Sequence, residues 1–485
     1  MLKKVTGPLF PPLLRLLAGA SSTLLLAGCV LAPRGTGQEQ RRLEAAGAAY
    51  EPRFEKRQLP PLPDEPGWRD VLRRAFLANG DLEAAYFEWK AALARIPQVA
   101  NYPNTNVAPS FSYLFSGGRM KSFDRATLNV GFDPMENLAF PAKVARAGRL
   151  ALEEARAAGK RFEAVKFDLR RKVLTAYLDL ALHEEKIRVQ RDNVSLLKLV
   201  SDTAADRVKA GGQQQDLLRA QTQYRLAESE LAGMESAQLS MRAMLNGMLA
   251  RDAGATLDLP QGLPAPRPLP ADDARLISVA VENNPELERL AREVAGRKDA
   301  IELARMAYIP DINPIAAFTG GASQVVGAMV VLPTTLPEIR GRIDEARAML
   351  RASRAMLRQT RADRAAAFVA ALYTLRSAER QAAVFRQTIL PRAQQALAAS
   401  RQAYATGTGS FTDLIDSQRT LLEVRLMVAE ARVEREKRLA ELEALAGVDV
   451  ETLAPPATAP STAPAPSPPA GGDGRAAAVR TRAGR

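Results

Sequence analysis

Residues 404–416, which read YATGTGSFTDLID, carry the clearest signal for the fold. Threonine and glycine alternate at 406–409, a composition that favours a tight turn. After the turn, Leu414, Leu421, Val428 and Leu442 are separated by seven residues or by a multiple of seven. Because apolar residues at this spacing pack one helix against another in a left-handed coil, the stretch predicts a helical hairpin.

The hairpin belongs to a longer internal repeat. Residues 413–418 (DLIDSQ) echo residues 216–221 (DLLRAQ), and further echoes follow in the same order toward the N terminus. The other matched pairs are Gly211 and Gly407, Tyr177 and Tyr373, Pro141 and Pro337, Ile96-Pro97 and Ile309-Pro310, and Asn79 and Asn284. The offset is 196 residues from Pro141 to Gly211 and 197 residues beyond it. An ordered series at a nearly constant offset indicates a duplication.

Each half has the same internal order. A first helix is expected at 71–96 and again at 273–308, followed by a region punctuated by Pro and Gly. Long helical stretches are expected at 142–259 and at 338–447, the second interrupted by Pro391. Since a helix rises about 1.5 Å per residue, the first arm of the first hairpin is predicted to be about 100 Å long.

Four runs between the helices predict β-strands. Residues 107–115 and 126–132 alternate large apolar residues with small or polar ones, and 312–319 and 324–332 occupy the same place in the second half. Their lengths suit transmembrane strands, but four strands cannot close a barrel. If they span a membrane, three chains would together supply 12 strands to one shared barrel. The alternative is a small soluble sheet that caps the helices.

The N terminus reads as an export signal. Lys3 and Lys4 precede an apolar run that ends in Leu-Ala-Gly-Cys at residues 26–29. We expect Cys29, the only cysteine, to be lipidated and to become the first residue of the mature chain. No Asp follows it directly, which favours the outer membrane. The alternatives are a plain signal peptide or a buried apolar segment with an incidental cysteine.

The domain organisation follows from these signals. We expect a lipoprotein signal peptide at 1–28, a lipidated extended tether at 29–67, a first repeat at 68–270, a second repeat at 271–450, and a disordered Pro/Ala-rich tail at 451–485. The formal net charge of +13 could indicate nucleic-acid binding. The export signal, and the spread of arginines among acidic residues along the helices, favour a solvated helical surface and no nucleic acid.

Together these residues resemble the lipoprotein branch of the TolC-like outer-membrane efflux proteins. The resemblance covers about residues 68–450 and is carried by five motifs: the Leu-Ala-Gly-Cys ending at Cys29, Asn284-Pro285-Glu286-Leu287, Tyr308-Ile309-Pro310, Ile389-Leu390-Pro391 and residues 404–416. It implies a mainly α fold with a small β part. Duplicated long helical hairpins would form a trimeric α-barrel, and four strands per chain would join a shared 12-stranded transmembrane β-barrel. The implied function is the exit duct of a tripartite efflux or secretion system, with a periplasmic adaptor and an inner-membrane pump as partners.

The resemblance also implies roles for residues near the hairpin tips. Asp413 and Asp416 match acidic residues that ring the tunnel's constriction, and Tyr404 matches a tyrosine that helps to hold the closed state. The hairpin tips, where the adaptor would dock, are expected at Gly211, Gly212, Gly407 and Gly409. Read without the resemblance, the two aspartates could simply be a solvated helix start stabilised by the helix dipole. Family members often carry a basic residue where this chain has Gly409, so the bonds across the gate are expected to differ.

No pattern of residues in the sequence predicts an enzyme. A single histidine excludes the paired-histidine zinc motifs, and the chain lacks a P-loop and a nucleophile elbow. We therefore expect no catalytic residues, no metal site and no cofactor other than the lipid on Cys29. The rival interpretations are a periplasmic coiled-coil scaffold lipoprotein without a channel and a lipid-anchored hydrolase.

Overall fold

The computed structural model describes residues 32–101, 107–115, 118, 121–132, 139–209, 211, 213–269, 272–319, 323–406 and 408–453. The predicted signal peptide, Cys29, Gly212, Gly407 and residues 454–485 lie outside these ranges.

The first repeat contains two short helices, two strands and one long helical hairpin. A helix α1 (Thr36–Gly47) precedes the repeat. The elements that follow are α2 (Trp68–Ala78), α3 (Gly80–Ala100), β1 (Val107–Tyr113), β2 (Ala126–Phe132), α4 (Pro141–Lys209) and α5 (Gln214–Met248).

The second repeat has the same order. Its elements are α6 (Asp273–Asn283), α7 (Pro285–Arg305), β3 (Asp311–Thr319), β4 (Ser323–Val331), α8 (Leu336–Val384), a π-helical turn at Phe385–Ile389, α9 (Leu390–Ala405) and α10 (Phe411–Ala446). The predicted mainly α fold with two long helical hairpins and four strands is confirmed.

Two expectations about the short helices are wrong. The single helices predicted at 71–96 and 273–308 are each split in two, because an asparagine starts a new helix at the same place in each repeat. The side-chain oxygen of Asn79 accepts hydrogen bonds from the backbone N–H groups of Asp81 and Leu82. Asn284 likewise accepts from Leu287 and also donates to the carbonyl of Leu445 at 2.6 Å. An asparagine that satisfies the free N–H groups of a new helix favours a break over a continuous helix.

The chain before the first repeat also differs from the predicted extended tether, because α1 lies within 29–67. A ring of aromatic residues holds this segment: the ring of Tyr50 lies 5.3 Å from that of Tyr86 and 6.4 Å from that of Phe162. Arg57 forms an ion pair with Glu83 on α3 at 2.8 Å. The aromatic contacts give the segment the apolar burial that the Pro-rich sequence alone does not indicate. Residues 33–57 are called the N-terminal strap below.

The four strands form one antiparallel sheet in the order β1-β2-β3-β4. The two repeats join at its centre, where Thr127 pairs with Thr319 and their hydroxyl oxygens lie 3.1 Å apart. Large apolar side chains on the sheet are exposed, with Phe111 at 70% and Val326 at 82%. In the described part of this chain, β1 and β4 each have one edge without a partner strand.

The helices form a row one layer thick. Next to the sheet the order is α3, α4, α7 and α8. Farther from the sheet α5 and α10 flank the distal half of α4, and α9 packs against α10. Within the described ranges, no helix combines the length and the apolarity that crossing a membrane would need.

A buried ion network fixes the middle of the row. Arg267, only 6% exposed, lies in the segment that joins the repeats and forms ion pairs with Glu436 at 2.9 Å and Glu443 at 2.8 Å. Glu443 also pairs with Arg170 of α4 at 3.3 Å. Burial raises the pKa of Glu443, although the neighbouring arginines act in the opposite direction. Because each charge has partners, the network joins α4, α10 and the connecting segment where the two halves of the row meet.

Candidate functional site

The candidate site is the end of the molecule farthest from the sheet, where both hairpins turn. An apolar cluster holds the two hairpins together there. Its buried members are Val200, Ala204, Ala220, Ala393, Leu397, Tyr404, Phe411, Leu414, Leu421 and Val424, which come from both repeats. Two polar contacts lie near it: the Ser400 and Ser417 hydroxyl oxygens are 2.7 Å apart, and Gln418 donates to the side-chain oxygen of Asn193 at 2.8 Å.

The second hairpin turn is compact. The backbone N–H groups of Thr408 and Gly409 both donate to the carbonyl of Ala403 at 2.9 Å. A Cβ at Gly409 would lie 2.9 Å from the Cβ of Ala403 and 3.2 Å from the backbone nitrogen of Tyr404. A basic residue therefore cannot replace Gly409 without moving this turn.

The first hairpin turn is more open. Gly211 has φ of 93°, a left-handed conformation that favours glycine, and nothing lies within 4 Å of a Cβ built there. Gln213 precedes the first turn of α5 without a side-chain capping hydrogen bond.

Tyr404 lies in the cluster and is 5% exposed. Its ring packs edge-on against Phe411, with the ring centroids 6.1 Å apart. The hydroxyl of Tyr404 is buried and has no hydrogen-bond partner among the described residues. The side chain therefore contributes through its ring.

Arg207, near the end of α4, contacts Tyr404 from the other repeat. Its guanidinium carbon lies 3.9 Å from the centroid of the Tyr404 ring, and its terminal nitrogen donates to the Tyr404 backbone carbonyl. A cation over an aromatic face and a charged hydrogen bond act here on the same residue. Arg207 is thus the basic residue that joins the two hairpin tips.

Arg207 is not among the predicted tip residues, because the resemblance places the basic residue just after the turn glycine, at the position of Gly409. The residue spacing before the first hairpin turn does indicate that Arg207 faces the tip cluster. Val200, Ala204 and Arg207 have the spacing of one helix face, and the first two belong to the apolar cluster.

Asp413 and Asp416 both lie in the first turns of α10. Ser410 caps this helix by accepting a hydrogen bond from the backbone N–H of Asp413 at 3.1 Å. Both aspartates are exposed, and neither forms an ion pair with another described residue. A spacing of three residues puts both carboxylates on one side of the helix, as expected. Within the same described ranges, no group of three His, Cys, Asp or Glu side chains could hold a metal ion.

Comparisons with known proteins agree with the predicted resemblance. Residues 276–448 match the family model for outer membrane efflux proteins. The cobalt-zinc-cadmium resistance protein CzcC of Cupriavidus metallidurans is 23% identical over 274 residues, which cover 54% of this chain and 63% of that relative. The chain thus spans less than two thirds of the curated relative it matches.

Solved structures show the same fold. The outer-membrane channel OprN has a TM-score of 0.66 at 18% identity and covers 79% of this chain and 90% of its own. The outer membrane protein VceC of Vibrio cholerae has a TM-score of 0.64 at 16% identity, with 79% of this chain and 96% of its own covered. The predicted resemblance to outer-membrane efflux proteins is confirmed by the family match in the second repeat and by the shared fold.

Proposed function

We propose that this chain is a TolC-like outer-membrane efflux protein and forms the exit duct of a tripartite export system. One observation carries the proposal: each chain supplies a four-stranded sheet with two open edges and exposed apolar side chains, above a one-layer row of long helices. Open edges in a bilayer leave backbone groups unsatisfied, so further copies must close the sheet.

Three copies satisfy this requirement. Twelve strands would close a barrel wide enough for a pore, and the four-helix row of each chain would complete a tube of twelve helices. The adaptor and inner-membrane pump would then meet the hairpin tips. A scaffold lipoprotein would have no use for such a sheet, so this alternative is disfavoured.

The lipid on Cys29 is part of the proposal. The strap begins four residues after Cys29, at Pro33. Pro33 lies beside Gly148, which is near the start of α4, and this end of α4 is the end next to the sheet. A lipid on Cys29 would therefore enter the membrane next to the barrel. Because the strands also hold the chain in the membrane, the lipid would aid delivery and early tethering.

The tip is proposed to be the gate. In a threefold assembly, Asp413 and Asp416 would gather six carboxylates around the axis, and like charges at that density favour cations. Arg207 and Tyr404 would keep the two hairpin tips of each chain together in the closed state. Asp413→Asn combined with Asp416→Asn is expected to lower the cation preference of the pore in reversal-potential measurements, and unchanged selectivity would remove both residues from the constriction.

The assembly is tested by the mass and image of the purified, detergent-solubilised protein. We expect three copies with threefold symmetry and one ring of twelve strands. A stable monomer would contradict the proposal. Because the name of CzcC includes cobalt, zinc and cadmium, these cations are the first cargo to test in a strain that lacks the chain.

A further inference from the structure

The helices α3 and α8 are the two ends of the row next to the sheet, so each has one side without a neighbouring helix among the described residues. On α3, Phe87 lies two residues from the buried Trp89, which packs against α4. Two residues are about 200° around a helix, so the ring of Phe87 points away from α4. Phe87 is 40% exposed. In a closed ring of three chains, this ring would meet α8 of the next copy.

The free side of α8 has room for such a ring. Leu350 and Leu357 pack against α7. Ala355 and Ala362 are exposed and lie more than about 100° around the helix from these two leucines, on the side that a next copy would approach. Small side chains at these two positions let a neighbouring helix come close.

Four arginines of α8 lie on the flank next to these alanines. They are spaced by three, four and three residues and are all exposed: Arg351, Arg354, Arg358 and Arg361. In the part of the chain that the structure describes, none of the four forms an ion pair or a side-chain hydrogen bond. Adjacent cations repel one another, so a carboxylate from another chain would stabilise them. We call these four residues the arginine flank.

The arginine flank is on the same side of the helical row as the N-terminal strap. On α4, Phe162 packs against α3, and the next residue, Glu163, pairs with Arg42 of the strap. On α8, which runs in the same direction, Leu357 packs against α7, and the next residue is Arg358. One residue is about 100° around a helix, so Arg358 and the strap occupy the same face of the row.

The strap crosses the row from α4 to the edge helix α3. It begins on α4, where Pro33 lies beside Gly148. It ends on α3, where Arg57 pairs with Glu83 at 2.8 Å. The second half of the strap therefore covers the helix that a next copy would meet.

Glu44 is the strap carboxylate that faces this edge. On α1, Leu43 is buried against the row, and Arg42 on one flank pairs with a carboxylate of α4. Glu44 is about 200° around α1 from Arg42, so it lies on the opposite flank, toward α3. Glu44 is exposed, accepts a hydrogen bond from Gln40 at 2.9 Å, and forms no ion pair with another described residue. Arg41 is about 200° from Leu43 and points away from the row.

Two other exposed carboxylates of this region are less available to the arginine flank. Glu55 lies between two exposed cations in sequence, Arg53 and Lys56. Asp81 lines a cavity with Arg161, which is about 200° around α4 from the residue that meets the strap, so Asp81 is on the other face of the row.

Glu44 and Arg358 also lie at the same distance from the sheet. The helices α4 and α8 start soon after β2 and β4, which run in the same direction. Glu163, which meets the strap two residues before Glu44, is about 33 Å from the start of α4 at about 1.5 Å per residue. Arg358 is equally about 33 Å from the start of α8. In a closed ring, the carboxylate and the guanidinium would face each other across the gap between copies.

We propose that the strap is a clamp between copies, with Glu44 of one chain paired to Arg358 of the next. Phe87 of the first chain would sit between Ala355 and Ala362 of the second. Guanidinium groups bind carboxylates by paired hydrogen bonds, so the contact fixes the angle between copies as well as holding them together. This inference rests on the proposed function, because only a closed ring brings α8 next to α3 of another chain.

The first test is a charge exchange in the full, detergent-solubilised protein, with dissociation of the trimer followed by native mass measurement. Glu44→Arg and Arg358→Glu should each weaken the trimer, because each brings like charges together between copies. Departure of one copy breaks two such contacts, so we expect it to be about tenfold faster. The two substitutions combined should restore the native rate.

The matched control combines Glu44→Arg with Arg297→Glu, which gives the same net charge as the exchange. Arg297 is exposed on α7 and forms no ion pair with another described residue. It lines a cavity with Arg161, on the face opposite the strap, so this combination should dissociate as fast as Glu44→Arg alone.

The second test is cross-linking. Glu44→Cys combined with Arg358→Cys should give covalent trimers on a denaturing gel after treatment with a short thiol cross-linker, whereas either substitution alone should not. Within one chain the row of four helices separates the two positions by about 30 Å, at about 8–10 Å between helix axes. A short cross-linker can therefore join only different copies.

The outcomes separate the clamp from the duct. A native trimer in which the charge exchange restores nothing and no covalent trimer forms would overturn the clamp and leave the duct intact. Equal restoration by Arg358→Glu and Arg297→Glu would show that net charge alone matters, which would also overturn the pairing. A native protein that is a monomer would overturn both the clamp and the proposed function.

Discussion

The contact between Arg207 and Tyr404 allows a quantitative prediction about the proposed gate. Arg207→Met removes a guanidinium 3.9 Å from the Tyr404 ring and a charged hydrogen bond to its carbonyl, while it keeps the length and apolar stem of the side chain. A cation–π contact contributes about 0.5–2 kcal/mol and a hydrogen bond to a charged group about 1.5–3 kcal/mol. Because Arg207 is only partly buried, we take the lower end, about 2 kcal/mol per chain.

The effect on the gate follows from that free energy. Since about 1.4 kcal/mol changes an equilibrium tenfold, a loss of about 2 kcal/mol from the closed state raises the ratio of open to closed tips about 30-fold. Single-channel recording in planar bilayers would show this as longer or larger openings. Arg401→Met is the matched control, because Arg401 is exposed on α9 and forms no ion pair with another described residue.

Tyr404→Phe tests whether the ring of Tyr404, and not its hydroxyl, makes the contact with Arg207. The hydroxyl of Tyr404 has no hydrogen-bond partner among the described residues, and the phenyl ring retains its face toward Arg207. We expect its conductance to match that of the native protein, whereas Tyr404→Leu should open the pore as Arg207→Met does. Open channels in Tyr404→Phe together with unchanged channels in Arg207→Met would refute the reasoning.

Three further predictions concern the body of the protein. Arg267→Met leaves Glu436 and Glu443 buried without their main partner and should destabilise the fold by about 3–5 kcal/mol, seen as a lower thermal midpoint. Arg69→Met removes a cation whose side chain is 72% exposed, so it should cost under about 1 kcal/mol. Gly47→Ala places a Cβ 1.7 Å from the Tyr86 ring and should release the strap to proteolysis, whereas Gly37→Ala, with nothing within 4 Å, should not. Cys29→Ser should slow assembly in the membrane, measured by pulse-chase, yet leave conducting trimers; a fully water-soluble product would contradict this.

The long elements were predictable because their signals are periodic. The strands begin and end within two residues of the runs chosen from period-two alternation, and both hairpins turn at the expected glycine-rich stretches. The patterns extend over many residues, so one atypical side chain does not hide them.

Local breaks and long-range contacts were not predictable in the same way. The helix breaks at Asn79 and Asn284 depend on a single side chain that caps a helix, and propensity alone favours continuation. The strap was missed because its stability comes from aromatic contacts with α3 and α4, which are distant in sequence. Arg207 and Tyr404 are 197 residues apart, so only the folded chain shows that they meet.

The most direct test of the duct is ion conductance by the purified protein in planar lipid bilayers. The proposed duct predicts a trimer that forms discrete, cation-preferring channels, since three open sheets would close one barrel above six tip carboxylates. A homogeneous preparation that remains monomeric and conducts no ions in the bilayer would contradict it.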